Sequence, residues 1–222
     1  NGNDFAGTPF LQSVRQEARR TLGIRSGEFM FLFVGQHIWE KNLGFLLDSL
    51  VRLSDVPFRM YFVGSGYASH ELKQKVVELG LASKVSFVGS IVEREILKRY
   101  YVAADLFLFP SLNGIHADAK YGIVAATDNA PLVIREAAAL GTPSVLIRDS
   151  TASEIISDSV NGFLSPNSTE AYSNRIREIL CSTAIIKQVG EEASRTIARS
   201  WEDVAGEVYD RYNRLIKRNG NK

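Results

Sequence analysis

Asp128 and Glu136 stand at the two ends of DNAPLVIRE, an otherwise apolar run that leads directly into AAALGTPSVLI. A buried carboxylate is costly unless it has a partner. Either both acids lie at the surface, or something outside the chain pairs with them. Pro131 suits the first turn of a helix, so the pattern predicts a helix over about 130–140, stopped by Gly141. Asp128 then precedes that helix. The helix opens at Asn129, Ala130, Pro131 and Leu132, where the unpaired N–H groups of a first turn lie at the positive end of the helix dipole and make an anion site. Glu136 follows eight positions on, about 12 Å away at the helical rise. Acids that far apart flank a long polar ligand better than they share a metal ion or a single reacting bond. A hydroxyl-rich molecule with a central anionic group matches. A plainer reading stands beside it, with Asp128 as a helix cap and Glu136 paired with a neighbouring arginine.

Three further stretches carry residue types suited to the same ligand. In GQHIWEKN, Gly35 allows a sharp turn at the end of an apolar run, and Lys41 follows where the next helix opens. A lysine there can set a point charge beside a phosphate; taken alone it reads more readily as a lysine capping a solvated helix turn. Gln36 and His37 share this turn, with His37 expected at the surface or in a hydrogen bond and Trp39 as cover for the helix start. In VGSGYASHEL, Gly64-Ser65-Gly66 frees backbone N–H groups to face an anion. Position 69 is serine, so the dinucleotide glycine pattern fails, and the lysine of a P-loop is missing. In KVSFVGSI, Val88 and Gly89 end a run and can present backbone to a planar base, although locally they read more readily as an ordinary strand-to-helix turn.

The elements that must hold these residues alternate. FMFLFVG (29–35), RMYFVG (59–64), KVSFVG (84–89), DLFLFP (105–110) and PSVLI (143–147) read as strands buried on both faces. Helices are expected from Thr8-Pro9 through Leu22, over 42–53, 71–81 and 93–104, and from the Ser200…Asp203 capping pattern to about Lys217; Thr151…Glu154 carries a capping pattern too. This alternation implies an α/β fold with a doubly wound, Rossmann-like parallel sheet, whose ligands bind beyond the carboxyl ends of the strands. Residues 113–127 are too long for a tight loop and read either as an excursion at the ligand edge, a lid or partner surface, or as an insertion without a role.

Composition narrows the class. Of the 222 residues 45% are apolar and 23% charged, and 26 basic against 25 acidic residues give a net charge of +1. A nucleic-acid partner would call for a clustered basic excess. The lone Cys181 excludes a disulfide framework within the chain and fits a reducing compartment. No apolar run reaches the roughly 18 residues of a membrane helix, and NGNDFAGTPF lacks the features of a signal peptide.

Together these stretches, in this order, resemble the C-terminal half of a family 4 (group 1) glycosyltransferase of the GT-B fold. Asn1-Gly2-Asn3-Asp4-Phe5 resembles the family's NGVD-F linker, GQHIWEKN its GR-x4-K segment, and Asp128 with Glu136 its E-x7-E motif. SEIISDSVNGFL (153–164) resembles the stretch that follows, and SWEDVAGEVYDRY the closing helix. The resemblance implies one nucleotide-sugar-binding domain over 1–222, with 1–7 as a linker remnant, 113–127 as an insertion, 200–218 as the closing helix, and the N-terminal acceptor domain absent. It implies that Lys41 holds the donor's diphosphate, Asp128 hexose hydroxyls, Glu136 ribose hydroxyls, and backbone at Val88 and Gly89 the base. No cofactor and no catalytic metal are implied; the nucleotide diphosphate sugar is the donor substrate. The expected activity is retaining transfer of a hexose to a glycan or lipid acceptor by the full-length protein in the cytoplasm, with peripheral contact at the inner membrane surface, and the piece alone is expected to bind without turning over. A GT-B sugar-nucleotide epimerase and a non-catalytic nucleotide-sugar-binding module are the rival readings. The chain departs from the family where Gln36 replaces an arginine, where Asp128 is shorter than glutamate, and where 113–127 separates Ser111 from Asp128.

Overall fold

The computed structural model describes residues 2–7, 12–112, 114–118, 122–126 and 131–219, with backbone alone for 114–118, 122–126 and 217–219. Six strands form one parallel sheet: β1 (Phe29–Val34), β2 (Phe58–Val63), β3 (Val85–Gly89), β4 (Leu106–Phe109), β7 (Ser144–Ile147) and β8 (Phe163–Ser165). Their order is β3-β2-β1-β4-β7-β8, every pairing parallel. That is the doubly wound order, in which the chain winds outward from β1 in one direction and then returns to wind in the other. The runs FMFLFV, LFLF and SVLI are buried almost throughout because helices cover both faces.

On one face pack α2 (Leu43–Val51), α3 (Ser69–Glu78) and α6 (Thr169–Leu180); on the other, α1 (Gln12–Thr21), α4 (Arg94–Ala103), α5 (Leu132–Ala139) and α7 (Thr183–Thr196). The chain closes with α8 (Trp201–Asn219). Its start is the expected reciprocal box: the Ser200 amide donates to Asp203 Oδ2 at 2.9 Å, and the Asp203 amide to Ser200 Oγ at 3.0 Å. The pattern at Thr151 does not open an α-helix. Thr151–Ile155 is one 3-10 turn, entered from Ser150 without a side-chain cap, because only five residues separate it from extended backbone at Ile156.

Residues 113–127 hold a second, two-stranded sheet, with β5 (Gly114–Asp118) antiparallel to β6 (Gly122–Ala126). The sequence reading of this stretch as a plain excursion missed that pairing. β6 runs beside the 3-10 turn Trp39–Lys41, so this strand pair stands at the carboxyl edge of the main sheet. The expected helix start at Thr8-Pro9 lies outside the described residues, and α1 follows from Gln12.

One aromatic row runs across the sheet just below that edge. Phe33, Phe62 and Phe87 occupy matched positions on β1, β2 and β3. Phe62 and Phe87 stack with centroids 5.0 Å apart, and Phe33 meets Phe109 of β4 at 6.1 Å. The row gives the loops above it a stiff apolar floor.

Candidate active site at the carboxyl edge of the sheet

Gly35, Gly64 and Gly89 end three adjacent strands, and their backbones lock together. The Gly35 amide donates to the Val63 carbonyl at 3.0 Å, and the Gly64 amide to the Gly89 carbonyl at 2.8 Å. The ladder continues past the strands: His37 N–H donates to Ser65 O, and Ala68 N–H to His37 O, each at 3.0 Å. Glycine is required at two of these places. A Cβ on Gly64, whose φ is 129°, would stand 2.9 Å from the carbonyl carbon of Gly35 and closer still to its oxygen. A Cβ on Gly66 would stand 2.7 Å from the carbonyl carbon of His37. The two loops are therefore packed backbone on backbone, which leaves their outer edge open to a ligand.

His37 is buried rather than at the surface, at 1% exposure. Its ring lies 5.6 Å from Phe87, 6.1 Å from Phe62 and 6.4 Å from Phe33, and Nδ1 is 3.0 Å from Ser69 Oγ. Burial, and then the charge of Lys73, push its pKa down to about 4. The folded chain thus refuses a proton that the unfolded chain accepts near 6.5. Stability from this site is complete above pH 6.5 and falls as pH drops from 6.5 toward 4. Denaturant melts of the unsubstituted chain and of His37→Asn should diverge in slope across that window, and parallel slopes would refute the assignment.

Lys41 closes the 3-10 turn Trp39–Lys41, with Nζ 5.5 Å from the centre of the Phe109 ring at the end of β4. The turn is tied down on two sides. Asn42, in the left-handed region at φ 55°, donates from Nδ2 to the Pro110 carbonyl at 3.3 Å, and Ser111 Oγ donates to the Glu40 carbonyl at 3.4 Å. On the other side, Tyr67 Oη donates to Glu40 Oε2 at 2.5 Å and accepts from the Trp39 amide at 3.3 Å. Trp39 is half-buried and packs against the core. Gln36 is exposed on the same loop, and Val88 is 37% exposed at the end of β3.

Across β4 stands α5. Pro131 precedes it with φ −62° and ψ 130°, Leu132 opens it at 40% exposure, and the chain leaves it through Gly141, at φ 72°, for the amino end of β7. The helix consequently runs antiparallel to the strands and begins at their carboxyl edge. Glu136 is half-buried in mid-helix. Its partner is neither solvent alone nor an arginine: Tyr101 of α4, fully buried, donates from Oη to Glu136 Oε2 at 2.8 Å. Burial, and then the Glu136 charge, push the Tyr101 phenol well above its ordinary range, so it stays a donor. Asp128, Asn129 and Ala130 lie outside the described residues. The structure thus brings Gly35, Gly64, Val88, Gly89 and the Lys41 turn to one edge, with the start of α5 across β4.

A cavity of about 330 Å³ opens at the opposite edge, between α1, α7 and the residues entering β4 and β7. Its charged lining, Arg15 with Asp105 and Lys187 with Glu191, is already paired within the chain. Parallel sheets of this winding bind ligands at the carboxyl edge, where the zipped loops lie.

The profile of the family described as "Glycosyl transferases group 1" matches residues 14–196. The chain belongs to this family. Among the curated relatives, an uncharacterized glycosyltransferase of Methanocaldococcus jannaschii is 27% identical over 198 residues, covering 87% of this chain and 47% of its own length. D-inositol 3-phosphate glycosyltransferase of Mycobacterium marinum is 30% identical over 218 residues, covering 93% and 43%. The chain therefore spans less than half the length of these two relatives. Its GT-B fold matches that of the Anabaena protein HepE in complex with UDP and glucose, with a TM-score of 0.78 at 22% identity over 96% of this chain and 55% of that one. It also matches the C-terminal domain of a group 1 glycosyl transferase from Francisella tularensis, with a TM-score of 0.68 at 18% identity over 82% of this chain and 90% of that one. This group 1 chain is a C-terminal-type GT-B domain. Among its described residues, no helix is long and apolar enough to cross a membrane.

Proposed function

We propose that this domain binds the nucleotide diphosphate sugar of a retaining glycosyltransferase that passes a hexose to a glycan or lipid acceptor. The supporting observation is the convergence, at one sheet edge, of the glycine-locked loops and the Lys41 turn, with the first turn of α5 facing them across β4. Lys41 and the first-turn amides of α5 hold the diphosphate, whose growing negative charge they stabilise as it leaves. Asp128 holds hexose hydroxyls. Glu136 accepts the Tyr101 hydrogen bond on one oxygen and receives ribose hydroxyls on the other. Backbone at Val88 and Gly89 meets the base. The anomeric carbon exchanges its bond to the diphosphate for a bond to the acceptor oxygen, with configuration kept. The bonding pair leaves with the diphosphate, which also takes the acceptor's proton. No bound metal enters this scheme.

The fold neighbour bound to UDP and glucose makes a uridine diphosphate sugar the first ligand to try. The acceptor is proposed to sit on a further domain of a longer protein, as in relatives of twice this length, working in the cytoplasm and touching the inner membrane surface where the acceptor is a lipid. The chain alone is expected to bind a donor without transferring its sugar. Thermal shift and titration with uridine, guanosine and adenosine diphosphate sugars test the reading. Binding of at least one is expected, and Glu136→Ala should weaken it by more than about 1 kcal/mol, the scale of a hydrogen bond to a charged group. A chain that binds none of the three overturns the proposal.

A further inference from the structure

The hydroxyl of Tyr67 joins two loops that the sheet alone does not join at their tips. Tyr67 lies between β2 and α3, in the loop that Gly64 and Gly66 press against the end of β1. The side chain is 61% exposed, yet its oxygen is fixed by two contacts to the turn that carries Lys41: it donates to Glu40 Oε2 at 2.5 Å and accepts from the Trp39 amide at 3.3 Å. An exposed hydrogen bond of this kind adds little to the stability of a fold. Its effect is local. Glu40 is the immediate neighbour of Lys41, and its carboxylate is the one charge on the turn that would oppose a diphosphate. With its carboxylate on the Tyr67 hydroxyl and its carbonyl on Ser111 Oγ, Glu40 is held from both ends.

We propose that Tyr67 is a positioning residue for the donor's diphosphate, pinning the Trp39–Lys41 turn and keeping the Glu40 carboxylate engaged. The inference rests on the reading of Lys41 as the diphosphate's cation and adds to it a residue outside the family motif. It explains why a large aromatic stands exposed next to a loop otherwise built of glycine, serine and alanine. The phenol is also well suited to stay protonated: burial, and then the bond to Glu40, push its titration upward.

The test compares affinities for UDP-glucose, GDP-glucose and ADP-glucose with those for the three plain nucleosides. The proteins are the unsubstituted chain, Tyr67→Phe, Glu40→Gln, the Tyr67→Phe/Glu40→Gln pair, Lys41→Ala, and Lys41→Ala with Tyr67→Phe. Tyr67→Phe keeps the ring and should fold normally. It should weaken the diphosphate sugar about five-fold, the scale of one hydrogen bond, and leave nucleoside affinity unchanged. Adding Glu40→Gln should recover most of that loss, and Tyr67→Phe should have no further effect once Lys41 is alanine. An equal loss for nucleoside and diphosphate sugar, or an undiminished Tyr67→Phe effect in the Lys41→Ala background, overturns the inference. If Lys41→Ala weakens binding and Tyr67→Phe does not, this inference alone fails. A chain that binds no diphosphate sugar removes the reading of the site and this inference with it.

Discussion

Gly64→Ala should destabilise the domain by about 3 kcal/mol or more and abolish donor binding. Two independent costs add. At φ 129° the backbone lies where L side chains rarely go, which costs on the order of 1–3 kcal/mol. The methyl group would also press on the Gly35 carbonyl, and the atoms nearest its Cβ position are Gly35 backbone atoms that cannot rotate away; overpacking of this kind costs about 1–3 kcal/mol. Relief requires β2 and its loop to slide away from β1. That movement breaks the Gly35 N–H bond to Val63 O and the His37 N–H bond to Ser65 O, and shifts the His37 and Lys41 turns together. Binding should therefore fail even at temperatures where the variant stays folded. Gly206→Ala, in mid-α8 with nothing within 4 Å of its Cβ position, is the control, and should stabilise by up to about 1 kcal/mol through helix propensity. Urea melts and a donor titration on both variants decide the matter. A Gly64→Ala protein that melts with the unsubstituted chain would show that the loops are not in contact.

Much of this fold was legible because parallel sheets write long signals. Five of the six strands show as short, mostly apolar runs, four of them ended by glycine or proline, and Gly35, Gly64 and Gly89 mark where three of them stop. β8 left almost no mark: Phe163–Ser165 is three residues long, and its burial comes from pairing with β7 rather than from pattern. The β5–β6 hairpin was equally hidden, since GIHAD and GIVAA lack a clean alternation. α6 and α7 do carry helical spacing, in Tyr172, Ile176 and Ile179 and in Ile186, Val189 and Ala193, but charged residues between them dilute it. At the candidate site the sequence could place residues on elements without naming their partners. Tyr101 lies 35 positions from Glu136, and Tyr67 lies 27 from Glu40. Each bond depends on how two elements pack, and neither residue type announces it. His37 shows the same limit from the other side: its turn position allows either the surface or a hydrogen bond, and the structure has the hydrogen bond, to Ser69, with the aromatic row beneath the turn enclosing the ring.

The amino edge of the sheet offers the opposite kind of test, in which stability and binding should separate. Asp105, at the entrance to β4, accepts from Arg15 Nη2 at 2.6 Å, from Arg19 Nη1 at 2.9 Å and from the Met30 amide at 2.7 Å. Its own amide donates back to the Met30 carbonyl at 2.8 Å. One carboxylate thus fastens α1 to β1 and β4. Burial pushes the Arg15 titration down, and Asp105 is the charge that opposes this. Asp105→Ala would leave two partly buried guanidiniums side by side without their counter-ion. It would also leave the N–H of Met30, a residue at 0% exposure, without its acceptor. The expected loss is about 3 kcal/mol or more. Asp105→Asn should fall between, since its amide oxygen still accepts from Met30 while the charge is gone. Salt should change the difference little, because these groups are mostly shielded from solvent. Donor affinity of the folded variants should match that of the unsubstituted chain, because this cluster stands at the far end of the strands from Lys41. An Asp105→Ala variant that melts within about 1 kcal/mol of the parent would mean that α1 is held by its apolar contacts, with the two arginines satisfied by the carbonyls of Glu28, Val102, Ala103 and Ala104.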